Sequence, residues 1–340
     1  MLEKVIRGLN PACFAMVMAT GIVSIAMNVQ GWDLVSGALL WIGVVAYAVL
    51  VVASLVRFAR YRDAVATDLR SPTRTFGFFT FVAGTGVIGT RLLLDGRLGV
   101  AEVALGITAV SWFVLGYALP AIAFAARGDE APMRRADGSW FVWVVATQAV
   151  AILAASLQPK VGFRTEFALL AVSCWSIGVV LYIAVAVLVA ARLLIARPSP
   201  ADVSGAYWVA MGATAISVVA GTHVEKMTKV PLVDVVGTTV SASTFILWAF
   251  GTWLVPALLV AGYWRHVVHR VPLRYEVGLW TIIFPLGMYG VASRALGTAH
   301  DLPIVNGIGH VEIWIASIAW GVTFVAMVWT QGRLLVRGDR

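Results

Sequence analysis

Long apolar stretches alternate with short polar segments over almost the whole chain. Ten of these stretches contain the roughly 17–25 residues that an α-helix needs to cross a bilayer. Backbone groups inside a bilayer have to be hydrogen-bonded within their own segment, so the pattern predicts an all-α integral membrane protein with a single transmembrane domain over residues 1–340. The predicted spans are 11–29, 34–56, 75–94, 101–126, 140–157, 166–191, 206–222, 237–261, 276–296 and 307–330.

Composition supports this class and excludes another. Hydrophobic residues make up 60% of the 340 residues and charged residues 12%, whereas a soluble domain has about 45–50% and 25%. The net charge is +8, but the basic residues lie in short segments between apolar stretches and form no patch with interleaved aromatic residues, which argues against a nucleic-acid partner. Cys13 and Cys174 show no metal-ligand spacing and indicate no disulfide framework.

The basic residues are divided unequally between the two sides of the predicted membrane domain. Both termini and the segments after even-numbered spans hold 18 of the 25 Lys and Arg residues. The positive-inside rule therefore predicts a multi-pass protein of the plasma membrane with both termini in the cytoplasm. The segment before span 1 has no cleavage signature, so span 1 is predicted to be retained.

The odd-numbered spans recur at a nearly constant interval. They begin near residues 11, 75, 140, 206 and 276. Units of one length inserted in one orientation predict five tandem helical hairpins around an axis along the membrane normal, with the odd helices inside and the even helices outside. The alternative is that any ten-span protein with short connections has such a period.

The middle of every span lacks an ionisable residue, so neither a proton relay nor a tight anion site is expected there. A neutral lining suits a channel or a facilitator, because conduction requires weak binding. The alternative is that the small polar residues only hydrogen-bond to neighbouring helices. The predicted lining residues are Phe14, Met18, Thr20, Thr80, Gly84, Thr85, Thr147, Gln148, Thr214 and Met288.

Two arginines lie near the predicted outer ends of odd spans. Arg91 shares a helical face with Thr80 and Gly84, and Arg294 ends span 9 at the same level. Two positive charges there predict a vestibule that concentrates anions. Alternatively, each side chain reaches the lipid headgroups or pairs with a nearby carboxylate such as Asp95.

Span 9 contains a helix-breaking proline beside a large ring, in the stretch LWTIIFPLGMYG. Pro285 lacks an N–H and clashes with the carbonyl of Thr281, so a kink is expected. A kink can turn Phe284 towards the axis, where a narrow apolar constriction blocks ions. The alternative is that Phe284 packs between helices and Pro285 shapes the scaffold.

The opening of span 1, NPACFAMVMATGIVSIAMNVQGW, resembles the tellurite-resistance/dicarboxylate transporter family, and so do VAGTGVIGTR in span 3 and F-P-L-G in span 9. This family includes fungal sulfite and malate transporters, bacterial tellurite-resistance proteins and the slow anion channels of plant guard cells. The pattern of span 1 is most similar to the sulfite-exporter and bacterial dicarboxylate branches.

The resemblance implies passive transport of small anions, a homotrimer with one pore per subunit, and an aromatic gate on the ninth helix. By its motif, Phe284 takes the gate position, with Pro285 beside it. The substrates that the family implies are malate-like C4-dicarboxylates, sulfite and other oxyanions, and halides. No cofactor and no enzymatic activity are expected. The long phosphorylated tails of the plant channels have no counterpart in this sequence, so kinase control is not expected.

A second hypothesis comes from a repeated H-V-E sequence. His223 with Glu225, and His310 with Glu312, fall near span ends on the predicted outer side. Imidazoles with carboxylates can bind a divalent metal, which would indicate a metal-dependent membrane hydrolase or a metal-sensing receptor. The spacing matches no catalytic signature, and the alternative is that the histidines line the vestibule or the interface.

Overall fold

The computed structural model describes residues 2–71, 73–125, 136–196, 199–200 and 202–337. Ten helices in this part of the chain are long and apolar enough to cross a membrane, which confirms the predicted count and the all-α class. In order, spans 1 to 10 are Pro11–Val29, Asp33–Arg60, Thr75–Leu94, Leu98–Ala123, Gly138–Lys160, Arg164–Ile195, Gly205–Glu225, Pro231–Val268, Val277–Ala299 and Pro303–Arg333.

Several spans are longer than the apolar pattern predicts. Span 8 begins at Pro231, well before the predicted start, because a proline suits the first helical position and the next turn contains the polar Asp234. Two short helices, Leu2–Arg7 and Arg62–Arg70, lie outside the spans. The predicted end of span 4 at residue 126 and most of the basic segment that follows it lie outside the described residues.

The odd spans form a closed inner ring. Spans 1, 3, 5, 7 and 9 each pack against the next, and span 9 packs back against span 1. Each even span packs against the odd span that precedes it and also touches the one that follows. In the most apolar window of each span, 67–89% of the residues are buried in the odd spans and 17–22% in the even spans. The even spans therefore leave most of their surface on the outside of the helix bundle.

Every odd span begins with a short 3₁₀ turn. The five turns are Pro11–Phe14, Thr75–Phe78, Gly138–Trp140, Gly205–Trp208 and Val277–Leu279. A small residue stands two positions before an aromatic residue at each start, in A-C-F, G-F-F, G-S-W, A-Y-W and G-L-W. The glycine is needed at Gly138, where an added Cβ would lie 2.4 Å from the backbone of Ala206. These turns let neighbouring spans approach closely at one end of the ring.

One aromatic side chain of each even span also donates a hydrogen bond to the next odd span around the ring. A hydrogen bond of this kind occurs five times around the ring, once between each even span and the next odd span. The pairs are Tyr47 with Thr85 (2.8 Å), Trp112 with Thr147 (2.8 Å), Trp175 with the Ser217 carbonyl (3.1 Å), Trp248 with Ser293 (2.9 Å) and Trp320 with Thr20 (3.0 Å).

Candidate functional site

Two cavities lie inside the ring of odd spans, one towards each end. The inner cavity, on the side where span 1 begins, has a volume of about 310 Å³. All five odd spans contribute to its wall, through Ala12, Thr80, Val142, Val209 and Thr281. These residues lie in or just after the 3₁₀ turns, so the five span starts shape the inner cavity.

The outer cavity lies at the opposite end of the ring and has a volume of about 270 Å³. All five odd spans again contribute, through Ile22, Val87, Ile152, Ile216 and Met288. Its deeper wall is apolar, whereas its mouth carries His223, Lys226 and Arg294. An anion that reaches this cavity meets positive charge first and apolar surface afterwards.

The layer between the two cavities is about 10 Å thick. This thickness follows from Thr281 of the inner cavity and Met288 of the outer cavity, which lie seven residues apart on one helix that rises about 1.5 Å per residue. Helical register places one apolar or small residue of each odd span at this level. These residues are Met18, Ala83, Val145, Gly212 and Phe284. The layer therefore has no charged group from these five positions.

Phe284 has the largest side chain in this layer. It lies three residues after Thr281, which lines the inner cavity, and four before Met288, which lines the outer one. Residues at these spacings share one face of a helix. The ring is 1% exposed, so neighbouring side chains enclose it at this level.

Pro285, the neighbour of Phe284 in the sequence, packs against Gly212 of span 7. An added Cβ on Gly212 would lie 2.8 Å from Cγ of Pro285, so only a glycine permits this approach without a shift. Pro285 lies inside a helix that runs from Trp280 to Ala299. The proline and the glycine together hold the Phe284 backbone close to span 7.

Two of the predicted lining residues border the axial cavities, and a third lies at the level between them by helical spacing. Thr80 borders the inner cavity, although its hydroxyl donates to the carbonyls of Gly77 (2.7 Å) and Pro11 (3.0 Å). Met288 borders the outer cavity. Met18 lies in the intervening layer, four residues before Ile22 of the outer cavity.

The polar residues predicted near mid-membrane are placed between spans. Thr20, Thr85 and Thr147 are the partners of the aromatic side chains from spans 10, 2 and 4. None of the three is among the residues that line either cavity. Their hydroxyls are used in helix packing, which is the alternative that the sequence left open.

Gln148 and Thr214 likewise face even spans. The Gln148 amide donates to the Trp175 carbonyl of span 6 at 3.2 Å, and its side chain fills the space beside Gly178. Thr214 donates to the Met211 carbonyl and occupies the space beside Gly251 of span 8. Span 6 can approach span 5, and span 8 can approach span 7, because a glycine of the even span faces the polar side chain of the odd span.

Phe14 and Gly84 pack between spans 1, 2 and 3. The ring of Phe14 lies 5.3 Å from that of Phe81 and 5.9 Å from that of Tyr47. A Cβ on Gly84 would contact Val17 of span 1. Neither residue lines the inner or the outer cavity, so the predicted lining is wrong in placing them there.

The two predicted vestibule arginines occupy different environments. Arg91 is 2% exposed, donates to Ser24 (3.0 Å) and Ser36 (2.9 Å) and pairs with Asp95 at 2.6 Å, away from the outer cavity. Its predicted place in the vestibule is therefore wrong, and the pairing with Asp95 is the reason. Arg294 lines the outer cavity.

The other polar side chains at the mouth of the outer cavity come from span 7. Lys226 and His223 border the outer cavity, three residues apart on one helical face. The carbonyl of Val219 lies 2.8 Å from Nδ1 of His223, so in the neutral ring Nδ1 carries the proton and Nε2 is free to accept. No carboxylate is among the described residues that line this cavity.

The inner cavity has the opposite balance of charge. One cation, Arg192, and two carboxylates, Asp137 and Asp202, border it in the described part of the chain. Burial raises the pKa of Asp137 although the hydroxyl and backbone N–H of Ser139 donate to it. Hydrogen bonds from the side chain and backbone of Ser199 lower the pKa of Asp202.

The four residues of the metal hypothesis do not converge. His223 borders the outer cavity, whereas Glu225 pairs with His300 at 3.3 Å. His310 lies 2.9 Å from the amide oxygen of Gln30. Among the described residues, no group of three or more His, Cys, Asp or Glu side chains is placed to hold a metal ion. The structure therefore contradicts a metal site built from the two H-V-E sequences.

The sequence model of the voltage-dependent anion channel family matches residues 8–328. The chain belongs to this family. The match confirms the family that the motifs of spans 1, 3 and 9 predicted. Members are channels and transporters, so anion transport is the general function that membership supports for this chain, and enzymatic activity is not expected at the level of the family.

Several relatives of this chain are named as membrane proteins or transporters. An uncharacterized membrane protein of Mycobacterium tuberculosis is 54% identical over 160 residues, which is 47% of this chain and 81% of the relative. Two uncharacterized transporters of Methanocaldococcus jannaschii align along nearly the whole chain. One is 23% identical over 94% of this chain and 93% of its own length, and the other 21% identical over 96% of each.

Proposed function

We propose that this protein is a passive anion channel or facilitator whose route runs along the axis of the inner ring, with Phe284 as its gate. The observation that carries the proposal is the position of Phe284 midway between two cavities that all five odd spans line. Pro285 is the second element of the gate, because it sets the approach of spans 7 and 9.

The apolar layer accounts for closure. A narrow passage lined by Met18, Ala83, Val145 and the Phe284 ring offers an anion no replacement for its hydration shell. Rotation of one aromatic ring changes the width of such a passage without any rearrangement of the helices. Thr80 and Met288 then line the route on either side of the gate.

Electrostatics sets the sign of the transported ion. The outer cavity contains two fixed cations, Lys226 and Arg294, and no carboxylate among its described residues. Positive potential in a cleft with apolar walls raises the local concentration of anions and lowers that of cations. The substrates are small anions of the classes that the family transports, which include C4-dicarboxylates such as malate, sulfite and other oxyanions, and halides.

The proposed location of the protein rests on its charge distribution, and its proposed assembly rests on the resemblance to the family. The excess of Lys and Arg on the side of the termini supports a plasma-membrane location with cytoplasmic termini. The names of the archaeal relatives support transport. Assembly as a homotrimer with a pore in each subunit rests on the resemblance to the family.

Ion selectivity tests the proposed function. The wild-type protein and the Phe284→Ala variant are reconstituted in planar bilayers with a tenfold gradient of potassium chloride. We expect the current to reverse close to the chloride equilibrium potential in both proteins, because the cationic outer cavity excludes potassium. Reversal at the potassium equilibrium potential would contradict anion transport, and so would the absence of any current from folded protein.

A further inference from the structure

A third pocket, separate from the two axial cavities, lies at the end of the bundle where the odd spans begin. It has a volume of about 220 Å³, and residues of the inner spans 1 and 3 and of the outer spans 2 and 4 line it. Its lining includes Leu55 and Phe58, which are 64% and 50% exposed, and Phe14, which is 4% exposed. The pocket therefore runs from the outside of the helix bundle to the inner ring.

The side of the pocket that span 2 forms is one apolar stripe with a single hydroxyl. Val51, Ser54, Leu55 and Phe58 border the pocket at the spacing that places residues on one face of a helix. The ring of Phe58 lies 6.3 Å from that of Phe78 at the start of span 3. A ligand that fills this pocket therefore has to supply a slender apolar group.

The end of span 2 and the segment after it are strongly basic. The stretch RFARYRDAVATDLRSPTR contains five arginines and two aspartates. Arg57 borders the pocket and shares the carboxylate of Asp68 with Arg74, so these three side chains keep one net positive charge. Arg60 and Arg62 follow within five residues of Arg57 and are exposed. A ligand that matches this end of the pocket carries negative charge.

We propose that the pocket binds an acyl chain of an anionic phospholipid whose headgroup lies against Arg60 and Arg62. A basic cluster directly beyond the end of a membrane-spanning helix attracts anionic lipids. A neutral phospholipid offers the chain without the charge, and a soluble anion offers the charge without the chain. A second copy of this chain is a poorer match, because its net charge is +8. The inference goes beyond the proposed transport and does not depend on it.

Lipid binding to purified protein tests the site. Phosphatidylglycerol and phosphatidylcholine with identical acyl chains are titrated onto delipidated protein in detergent, and bound lipid is counted by native mass spectrometry. We expect the tightest site of the wild type to prefer phosphatidylglycerol about tenfold. Ser54→Trp places an indole in the pocket and is expected to weaken phosphatidylglycerol binding about tenfold, because the acyl chain is no longer buried. Val49→Trp is the matched control, since Val49 is an exposed residue of the same span that does not border the pocket.

Replacement of two exposed arginines tests the headgroup contact without changing the core. Arg60→Gln combined with Arg62→Gln is expected to weaken phosphatidylglycerol binding about tenfold and to leave phosphatidylcholine binding unchanged. Arg97→Gln combined with Lys160→Gln removes two exposed charges at the opposite end of the ring and is expected to have no effect.

Equal affinity of the wild type for the two lipids would overturn the anionic site, and so would unchanged phosphatidylglycerol binding in the variant that lacks both Arg60 and Arg62. Unchanged lipid binding in Ser54→Trp would overturn the pocket as the place of the acyl chain. If that variant also changes its oligomeric state, a second copy of the chain occupies the pocket in place of lipid.

Discussion

Replacement of Phe284 by alanine is expected to raise anion flux roughly 10- to 100-fold, which corresponds to a barrier about 1.4–2.8 kcal/mol lower. The ring is buried, residue spacing on span 9 places it at the level between the inner and outer cavities, and the other positions of this layer carry Met18, Ala83, Val145 and Gly212. Truncation to a methyl group therefore joins the two cavities and admits water. The measurement is the initial rate of chloride and malate influx into proteoliposomes with an imposed membrane potential.

Phe76→Ala is the matched control for this prediction. Phe76 is as well buried as Phe284, but its ring stacks on Trp140 at 4.5 Å and borders neither cavity. Its truncation is expected to lower the melting temperature without raising flux. An equal rise in both variants would show that leak through a loosened bundle, and not the loss of a gate, carries the ions.

Replacement of Asp68 by alanine is expected to destabilise the protein by about 3–5 kcal/mol, because it leaves the buried charge of Arg57 without a carboxylate. Asp68 accepts hydrogen bonds from Arg57 at 2.6 Å and Arg74 at 2.9 Å, and the side chains of Asp68 and Arg57 are 4% and 6% exposed. The ion pair joins span 2 to the short helix Arg62–Arg70. The measurement is the free energy of unfolding in mixed detergent micelles.

Asp63→Ala tests the same loss at the surface of the same helix. Asp63 pairs with Arg7 at 2.6 Å, but both side chains are more than 60% exposed. Water screens an exposed pair, so we expect little change. Similar losses in the two variants would contradict a special role for the buried pair, and the effect would then reflect the helix itself.

The sequence predicts the spans and the family because these features depend on long patterns and on motifs. Span count follows from apolar length, and the family follows from motifs in spans 1, 3 and 9. The proposal that Phe284 is the gate comes from the motif F-P-L-G. The regular starts of odd spans have a sequence signal that is harder to see, a small residue two positions before an aromatic one, as in G-S-W and G-L-W.

The lining of the route could not be read from the sequence because odd spans are apolar on every face. A threonine in such a helix has two possible environments, water or a neighbouring span, and periodicity does not distinguish them. The structure assigns Thr20 and Thr147 to tryptophans that lie one span away in the ring. By contrast, the sequence does indicate the ion pair of Arg91, because Asp95 lies four residues further along the same helix.

Lys226 was missed as a residue of the outer cavity because the sequence shows it at the end of span 7 without showing which way it faces. For His223 the vestibule was the alternative to the metal hypothesis, and His223 does border the outer cavity. The H-V-E repeat drew His223 into a metal hypothesis. Its neighbour Glu225 turns instead to His300. Residues two apart on a helix point in different directions, so the His and Glu of an H-V-E sequence do not form one site.

The most direct test of the central claim is whether a charged reagent in the axial cavities blocks anion flux from the expected side. Cysteine is introduced at Ile216 of the outer cavity or at Val209 of the inner cavity, after Cys13 and Cys174 have been replaced by serine. With Phe284 intact, an anionic methanethiosulfonate added outside is expected to block flux through Ile216→Cys and to leave Val209→Cys unmodified. In the Phe284→Ala background, both cysteines are expected to react from outside. Unimpeded flux after complete modification of Ile216→Cys would contradict an axial route, and modification of Val209→Cys from outside with Phe284 intact would contradict the gate.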